Sequence, residues 1–279
     1  MNTSMFIVWR ESVEALLVIG ILQAWISCQR GHSRLARFLW AGVLLGLLGS
    51  AGLAGLMLWA GEAMTGPEGE WLQATLTLVA SGLMVQMAFW MHRHGPTLKH
   101  RLVSEADQRL AHHGGWGVML LALLAVSREG SETVVFLYGA GARLHSEALG
   151  LFALGGVLGL VLAGLTVVLL RGTRRWMSWA HFFALSEALL LLLGGALLVA
   201  AVDRISGQLL AMDMPEWVYS AFGDSRWDSS ALLSDSHGLG ALLADFAGYR
   251  AAPSLITLLV LLGYWLLVGN GLRRPRHAA

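Results

Sequence analysis

Apolar and polar positions alternate on a long period in this chain. Seven runs, near 5–27, 38–60, 71–91, 116–140, 148–170, 181–202 and 253–270, are dominated by apolar residues and separated by polar connections. Each is close to the ~20 residues that carry an α-helix across a ~30 Å hydrocarbon layer. The pattern predicts an all-α polytopic membrane protein with seven transmembrane helices. Composition agrees, because 56% of residues are hydrophobic and 13% are charged, about half the ~25% charged content of soluble domains. No room is left for a large soluble domain, so 1–279 reads as a single transmembrane domain.

The connections alternate in charge. Arg30, Arg34 and Arg37 follow the first run, Arg93, Lys99, Arg101 and Arg109 the third, Arg171, Arg174 and Arg175 the fifth, and Arg273, Arg274 and Arg276 the last. The opposite connections are acidic, with Glu62, Glu68, Glu70, Asp213, Glu216, Asp224, Asp228, Asp235 and Asp245. Basic connections stay in the cytoplasm, which predicts an outer N-terminus and a cytoplasmic C-terminus in a cell membrane, the bacterial inner membrane by expectation. No basic residue precedes Arg10, so a cleaved signal is not expected and the first helix should remain. The long outer connection, about 203–252, contains leucines at helical spacing and predicts a short amphipathic helix. Tryptophans such as Trp9, Trp40, Trp59, Trp116 and Trp176 gather toward run ends, where indoles anchor at the interface. The single cysteine, Cys28, excludes an internal disulfide and a thiolate-rich metal site.

Six charges interrupt the runs in two sets: Arg10, Glu11 and Glu14 in RESVE, and Arg128, Glu129 and Glu132 in REGSE. A charge at the centre of a spanning helix costs on the order of 3 kcal/mol, and such groups mark ion paths by default. At ~100° per residue each set falls on one helix face. Arg10 with Glu14, and Arg128 with Glu132, are i,i+4 neighbours that pair in part. Four carboxylates against two guanidiniums leave a formal −2 that calls for a cation. Measured from the outer ends at ~1.5 Å per residue, Glu11 and Glu14 lie roughly 9–14 Å deep and Glu132 and Glu129 roughly 12–17 Å deep, so the two sets meet at one level.

Runs 2 and 5 are both rich in glycine, with Gly42 and Gly46 corresponding to Gly155 and Gly159. The motifs are offset by 118 residues and these glycines by 113. A three-helix unit therefore recurs in inverted orientation, about 1–92 and about 115–203. A 3+3 inverted repeat plus a seventh helix is expected, with an ion site near the midplane.

On these residues the chain resembles the oxidase-dependent iron permeases, the high-affinity ferric iron permease family of fungi and bacteria. RESVE and REGSE match that family's Arg-Glu-Gly-x-Glu signature in the first and fourth of seven spans. MAFWMHRH at 87–94 and DFAGYRAAPS at 245–254 resemble its end of span 3 and approach to span 7, and its acidic residue at the head of span 3 falls on Glu70. Ser12 stands where the family usually has glycine. The resemblance implies uptake of ferric iron as transported substrate, with no permanently bound cofactor. It also implies an extracytoplasmic partner: an iron oxidase, or a cupredoxin-like or iron-binding delivery protein. Related members are associated with lead.

The residues expected to carry the metal are Glu11, Glu14, Glu129 and Glu132, with Arg10 and Arg128 supporting them. Hard carboxylate oxygens suit ferric iron. Glu70 and Glu187 are further candidates along the path. His92, His94, His100, His112 and His113 crowd the connection after run 3 and read as a solvated basic loop, and His181 as an interfacial residue. A proton-coupled carrier of another metal such as lead, or of an organic anion, is the alternative. An embedded di-iron enzyme would need Glu-x-x-His pairs on its helices and a zinc protease His-Glu-x-x-His. The spans contain neither, so no enzyme and no nucleic-acid partner is expected.

Overall fold

The computed structural model describes residues 2–29, 31–64, 66–94, 98–141, 146–172, 179–212, 215–235 and 237–273. Among them the regular elements are all α-helices, with an isolated bridge between Ser225 and Ser254. The helices are α1 (Asn2–Ser27), α2 (His32–Ala63), α3 (Pro67–His94), α4 (Leu98–His113), α5 (Gly115–Gly141), α6 (Ser146–Gly172), α7 (Trp179–Leu210), α8 (Glu216–Phe222), α9 (Gly238–Ala247) and α10 (Leu255–Arg273). The seven expected runs coincide with α1, α2, α3, α5, α6, α7 and α10.

Five of these, α2, α3, α6, α7 and α10, are long and apolar enough to cross a membrane. The other two, α1 and α5, have 26 and 27 residues but each contains three charges. Leu44, Leu47 and Leu48 of α2 and Leu158, Leu160 and Leu165 of α6 are exposed, apolar faces of the kind that mark contact with a membrane or a partner. Arg30, Arg174, Arg175, Arg274, Arg276, Trp176 and Asp213 lie outside the described residues, as do the side chains of His94, Lys99, Arg171, His181 and Arg273.

The chain divides into two compact units. The first comprises Met1–Trp59, His94–Leu137 and Arg143–His181. Its core joins Ile19, Leu22, Trp25 and Ile26 of α1 to Leu35, Leu39 and Val43 of α2, Ala106 of α4, and Val118, Leu121, Ala122 and Val126 of α5.

The basic connection read as a solvated loop is helix α4. Leu98, Leu102, Val103, Ala106 and Leu110 recur at helical spacing, which gives the segment an apolar stripe. Ala106 packs into the core while His100, Arg101, His112 and His113 stay exposed. Trp25 Nε1 donates to Asp107 Oδ1 at 2.9 Å, tying α1 to α4. Gly114, at φ +58°, makes the reversal from α4 into α5 that a side chain would strain.

The second unit comprises Ala60–Arg93, Tyr138–Ala142 and Phe182–Ala279. Here Ser81 Oγ donates to the Gly194 carbonyl at 2.7 Å and Tyr264 Oη to the Leu191 carbonyl at 2.5 Å, fastening α3 and α10 to α7. Helix α7 continues to Leu210, eight residues past its expected end. The connection beyond it contains α8 and α9 instead of one short helix, and Gly248, at φ +70°, ends α9. Ser229 donates its backbone N–H to the Ala251 carbonyl at 2.9 Å, folding the loop back before α10.

Candidate metal-binding site

The first unit brings the two charged motifs together. Helices α1 and α5 run antiparallel: Glu11 and Glu14 meet Glu129, while their Ile19–Ile26 and Val118–Val126 stretches share one core. Glu11, Glu14 and Glu129 are buried, and each offers a carboxylate oxygen within 4.8 Å of the others. Glu132, one turn beyond Glu129, stands beside this trio and pairs through Oε1 with Arg128 Nε at 3.1 Å.

The two arginines are not equivalent. Arg10 is wholly buried, with Nη1 donating to Glu11 Oε1 and Nη2 standing 2.5 Å from Glu14 Oε1. The Arg128 side chain is 42% exposed. One guanidinium therefore sits inside the cluster and the other at its edge.

Glu11 Oε2, Glu129 Oε2 and Glu132 Oε2 are buried without a hydrogen-bond partner, and Glu14 Oε1 meets Arg10 by charge without hydrogen-bond geometry. A buried carboxylate oxygen left this way costs several kcal/mol unless positive charge reaches it. At a first-row metal–oxygen distance of about 2.1 Å, oxygens across an ion are about 4.2 Å apart. Small side-chain rotations would bring the trio to that spacing.

Close helix packing holds these groups in register. A methyl group at Gly46 of α2 would stand 2.9 Å from Val126 Cβ and 3.1 Å from the Leu123 carbonyl of α5. One at Gly159 of α6 would stand 3.1 Å from Val8 Cβ and collide with the Met5 carbonyl of α1. Leu123 and Val126 follow Met5 and Val8 by 118 positions, the spacing that separates Glu129 from Glu11. Gly130, inside the second motif, faces Ser50 of α2, where a Cβ would collide with the hydroxyl. The counterpart of Ser50 on α6 is Ala163, fully buried. Ser12, the counterpart of Gly130, thus has a smaller residue in the matching position.

The remaining expected residues lie in the second unit. Glu187 Oε1 of α7 stands 2.9 Å from His92 Nδ1 of α3, both half-buried. The pair singles out one histidine from the group read as a solvated loop. Glu70 is exposed and meets Arg204 Nη1 at 3.3 Å, while the same nitrogen donates to Gln73 Oε1 at 2.6 Å. Arg204 is buried and was not expected as a site residue. It lies two residues past the expected end of its apolar run and gave no signal until α7 proved to continue through it.

The model of the iron permease FTR1 family matches residues 1–269. Among curated proteins, the ferrous iron permease EfeU of Escherichia coli (strain CFT073) is 27% identical over 253 residues, covering 89% of this chain and 87% of the relative. EfeU of Shigella sonnei is likewise 27% identical with the same coverage. EfeU of Yersinia pestis is 25% identical over 253 residues, 89% of this chain and 85% of the relative. No solved structure matches.

Proposed function

The chain belongs to the iron permease FTR1 family, and from that premise we propose that it takes up iron through the glutamates of α1 and α5. The observation that carries the reading is the convergence of Glu11, Glu14 and Glu129 with buried oxygens that lack hydrogen-bond partners. Glu132 is the fourth carboxylate and takes or hands on the ion from the edge of the cluster. Arg10 holds Glu11 and Glu14 oriented between ions, then yields part of its contact when metal arrives. Arg128 does the same for Glu132.

The proposed architecture is seven spans, α1, α2, α3, α5, α6, α7 and α10, in one transmembrane domain with the N-terminus outside. The matched packing of Gly46 on Leu123 and Val126, and of Gly159 on Met5 and Val8, supports a 3+3 inverted repeat. The apolar exterior supports a cell-membrane location, and the relatives, all bacterial, favour the inner membrane. Glu70 and Glu187 are further candidate points on the path.

The cargo we propose is ferric iron, because an all-carboxylate site is hard and offers no nitrogen or sulfur donor. Free ferric iron is scarce in neutral water, so an extracytoplasmic oxidase, cupredoxin-like or iron-binding protein would deliver it. The names of the relatives favour a second reading, ferrous iron, whose charge also balances the formal −2 of the motifs. Uptake of labelled iron by cells expressing this chain separates the two. Ferric cargo predicts uptake that persists when a membrane-impermeant ferrous chelator is added after oxidation, and that stops under a reductant. Uptake that requires the reductant would establish ferrous cargo. Lead or organic-anion uptake without iron uptake would overturn both.

A further inference from the structure

Helix pairing in the first unit crosses the two halves of the sequence. Helix α1 packs along α6, and contacts ascend together along both: Ser4 Oγ donates to the Phe152 carbonyl at 2.8 Å, Val8 meets Gly156 and Gly159, and Trp9 Nε1 donates to Thr166 Oγ1 at 3.0 Å. Helix α2 packs along α5 in the same parallel sense, with Gly42 against Met119 and Ala122, Gly46 against Leu123 and Val126, and Ser50 against Gly130. Both pairs meet backbone to backbone at glycines, the closest and least yielding kind of helix contact. Between the pairs the contacts are of another kind. They are the glutamate cluster, with Glu11 and Glu14 on α1 and Glu129 on α5, the apolar core beyond it, and the Trp25–Asp107 hydrogen bond. Helix α4 travels with α5, since Gly117 of α5 lies against the Arg109 carbonyl across the Gly114 reversal.

We propose that the bodies that move during transport are the crossed pairs α1–α6 and α2–α5, not the two sequence repeats, and that the ion passes in the seam between them. The inference rests on the permease reading. Moving repeat against repeat would pull α1 from α6 and α2 from α5, tearing the glycine contacts on both sides. Moving pair against pair disturbs, among the described contacts, side chains: carboxylates that exchange an ion, and apolar groups that slide. The core formed by Ile19, Leu22, Leu39, Val118 and Leu121 then closes the seam on the α4 side of the cluster, and Trp25 with Asp107 fastens it.

Cross-linking tests this in a chain whose native thiol is removed by Cys28→Ser. Within the pairs, Val8→Cys with Gly156→Cys, and Gly49→Cys with Ser127→Cys, place thiols where a Cβ on the glycine stands 3.7 Å from Val8 Cγ2 and 3.8 Å from Ser127 Oγ. Each contact brings the two introduced thiols close enough to be joined by oxidation. Across the seam, Trp25→Cys with Asp107→Cys is joined by a short bis-methanethiosulfonate, whose two disulfides a reductant cleaves. Iron uptake should survive both within-pair disulfides and be lost on the seam cross-link, returning once a reductant has been applied and washed out before uptake is measured. Uptake blocked by either disulfide, or spared by the seam cross-link, would overturn the proposal. The Cys28→Ser parent separates this from the permease reading, which fails if that parent takes up no iron. In purified protein, added iron(III) citrate should change the rate of seam cross-linking and leave both disulfide rates unchanged. The opposite rates would overturn the crossed pairs whatever the cargo.

Discussion

Arg10 Nη2 stands 2.5 Å from Glu14 Oε1, one turn along the same helix, with the guanidinium wholly buried. Its counterpart Arg128 makes a 3.1 Å pair with Glu132 and leaves 42% of its side chain exposed. Removing one partner of a buried pair costs about 3–5 kcal/mol, whereas an exposed pair contributes about 0–1 kcal/mol. Arg10→Ala should therefore lower the unfolding temperature of the detergent-purified protein far more than Arg128→Ala. Arg10→Lys should also transport poorly, because an ammonium cannot reproduce the fork that reaches two carboxylates. Equal losses at the two positions would show that the motifs are equivalent after all.

Gly130 and Ser50 give a packing prediction. A Cβ at position 130 has no room beside the Ser50 side chain, and overpacking of this kind costs about 1–3 kcal/mol. Gly130→Ala should reduce iron uptake, and adding Ser50→Gly should restore it. Ser12→Gly, which removes bulk in the matching position, should leave uptake near wild type. Failure of the second-site rescue would place the cause elsewhere than in the α2–α5 contact.

Much of this was legible in the sequence, for a physical reason. Spanning length and charge exclusion leave strong marks, so all seven apolar runs became helices, with ends shifted by up to eight residues. Equal depth of the two charged sets predicted that Glu11, Glu14, Glu129 and Glu132 would meet; the first three converge, and Glu132 stands one turn beyond Glu129. Helix α4 was missed because its polar residues outweigh a stripe of only five apolar positions, and Arg204 because the extension of α7 past residue 202 has no apolar run to announce it. The inequality of Arg10 and Arg128 was not legible. Two motifs with the same spacing are buried differently only through their neighbours.

Arg204 is a buried charge of the second unit, bonded to Gln73 at 2.6 Å and to Glu70 at 3.3 Å. Arg204→Ala should lower the amount of protein recovered from membranes. Glu70→Gln should change it little, because Glu70 is exposed and still accepts a hydrogen bond as the amide. If Glu70→Gln keeps the protein in the membrane but abolishes uptake, Glu70 belongs to the ion path.

Orientation follows from the placement of basic residues. A reporter active only outside the cytoplasm should be silent when fused after Arg101 in α4 and active when fused near Ser230. The reverse pattern would invert the path of the ion through the molecule.

The central claim is that iron passes the carboxylates of α1 and α5, and labelled iron uptake by single-site variants tests it most directly. Glu11→Ala, Glu14→Ala, Glu129→Ala and Glu132→Ala are each compared with wild type at matched amounts of protein in the membrane. Helix insertion tolerates the loss of a charge, so the variants should reach the membrane. The account predicts that each loses uptake by at least about tenfold, the factor that ~1.4 kcal/mol produces. Wild-type uptake by all four would contradict it and reduce the motifs to ion pairs that hold α1 against α5.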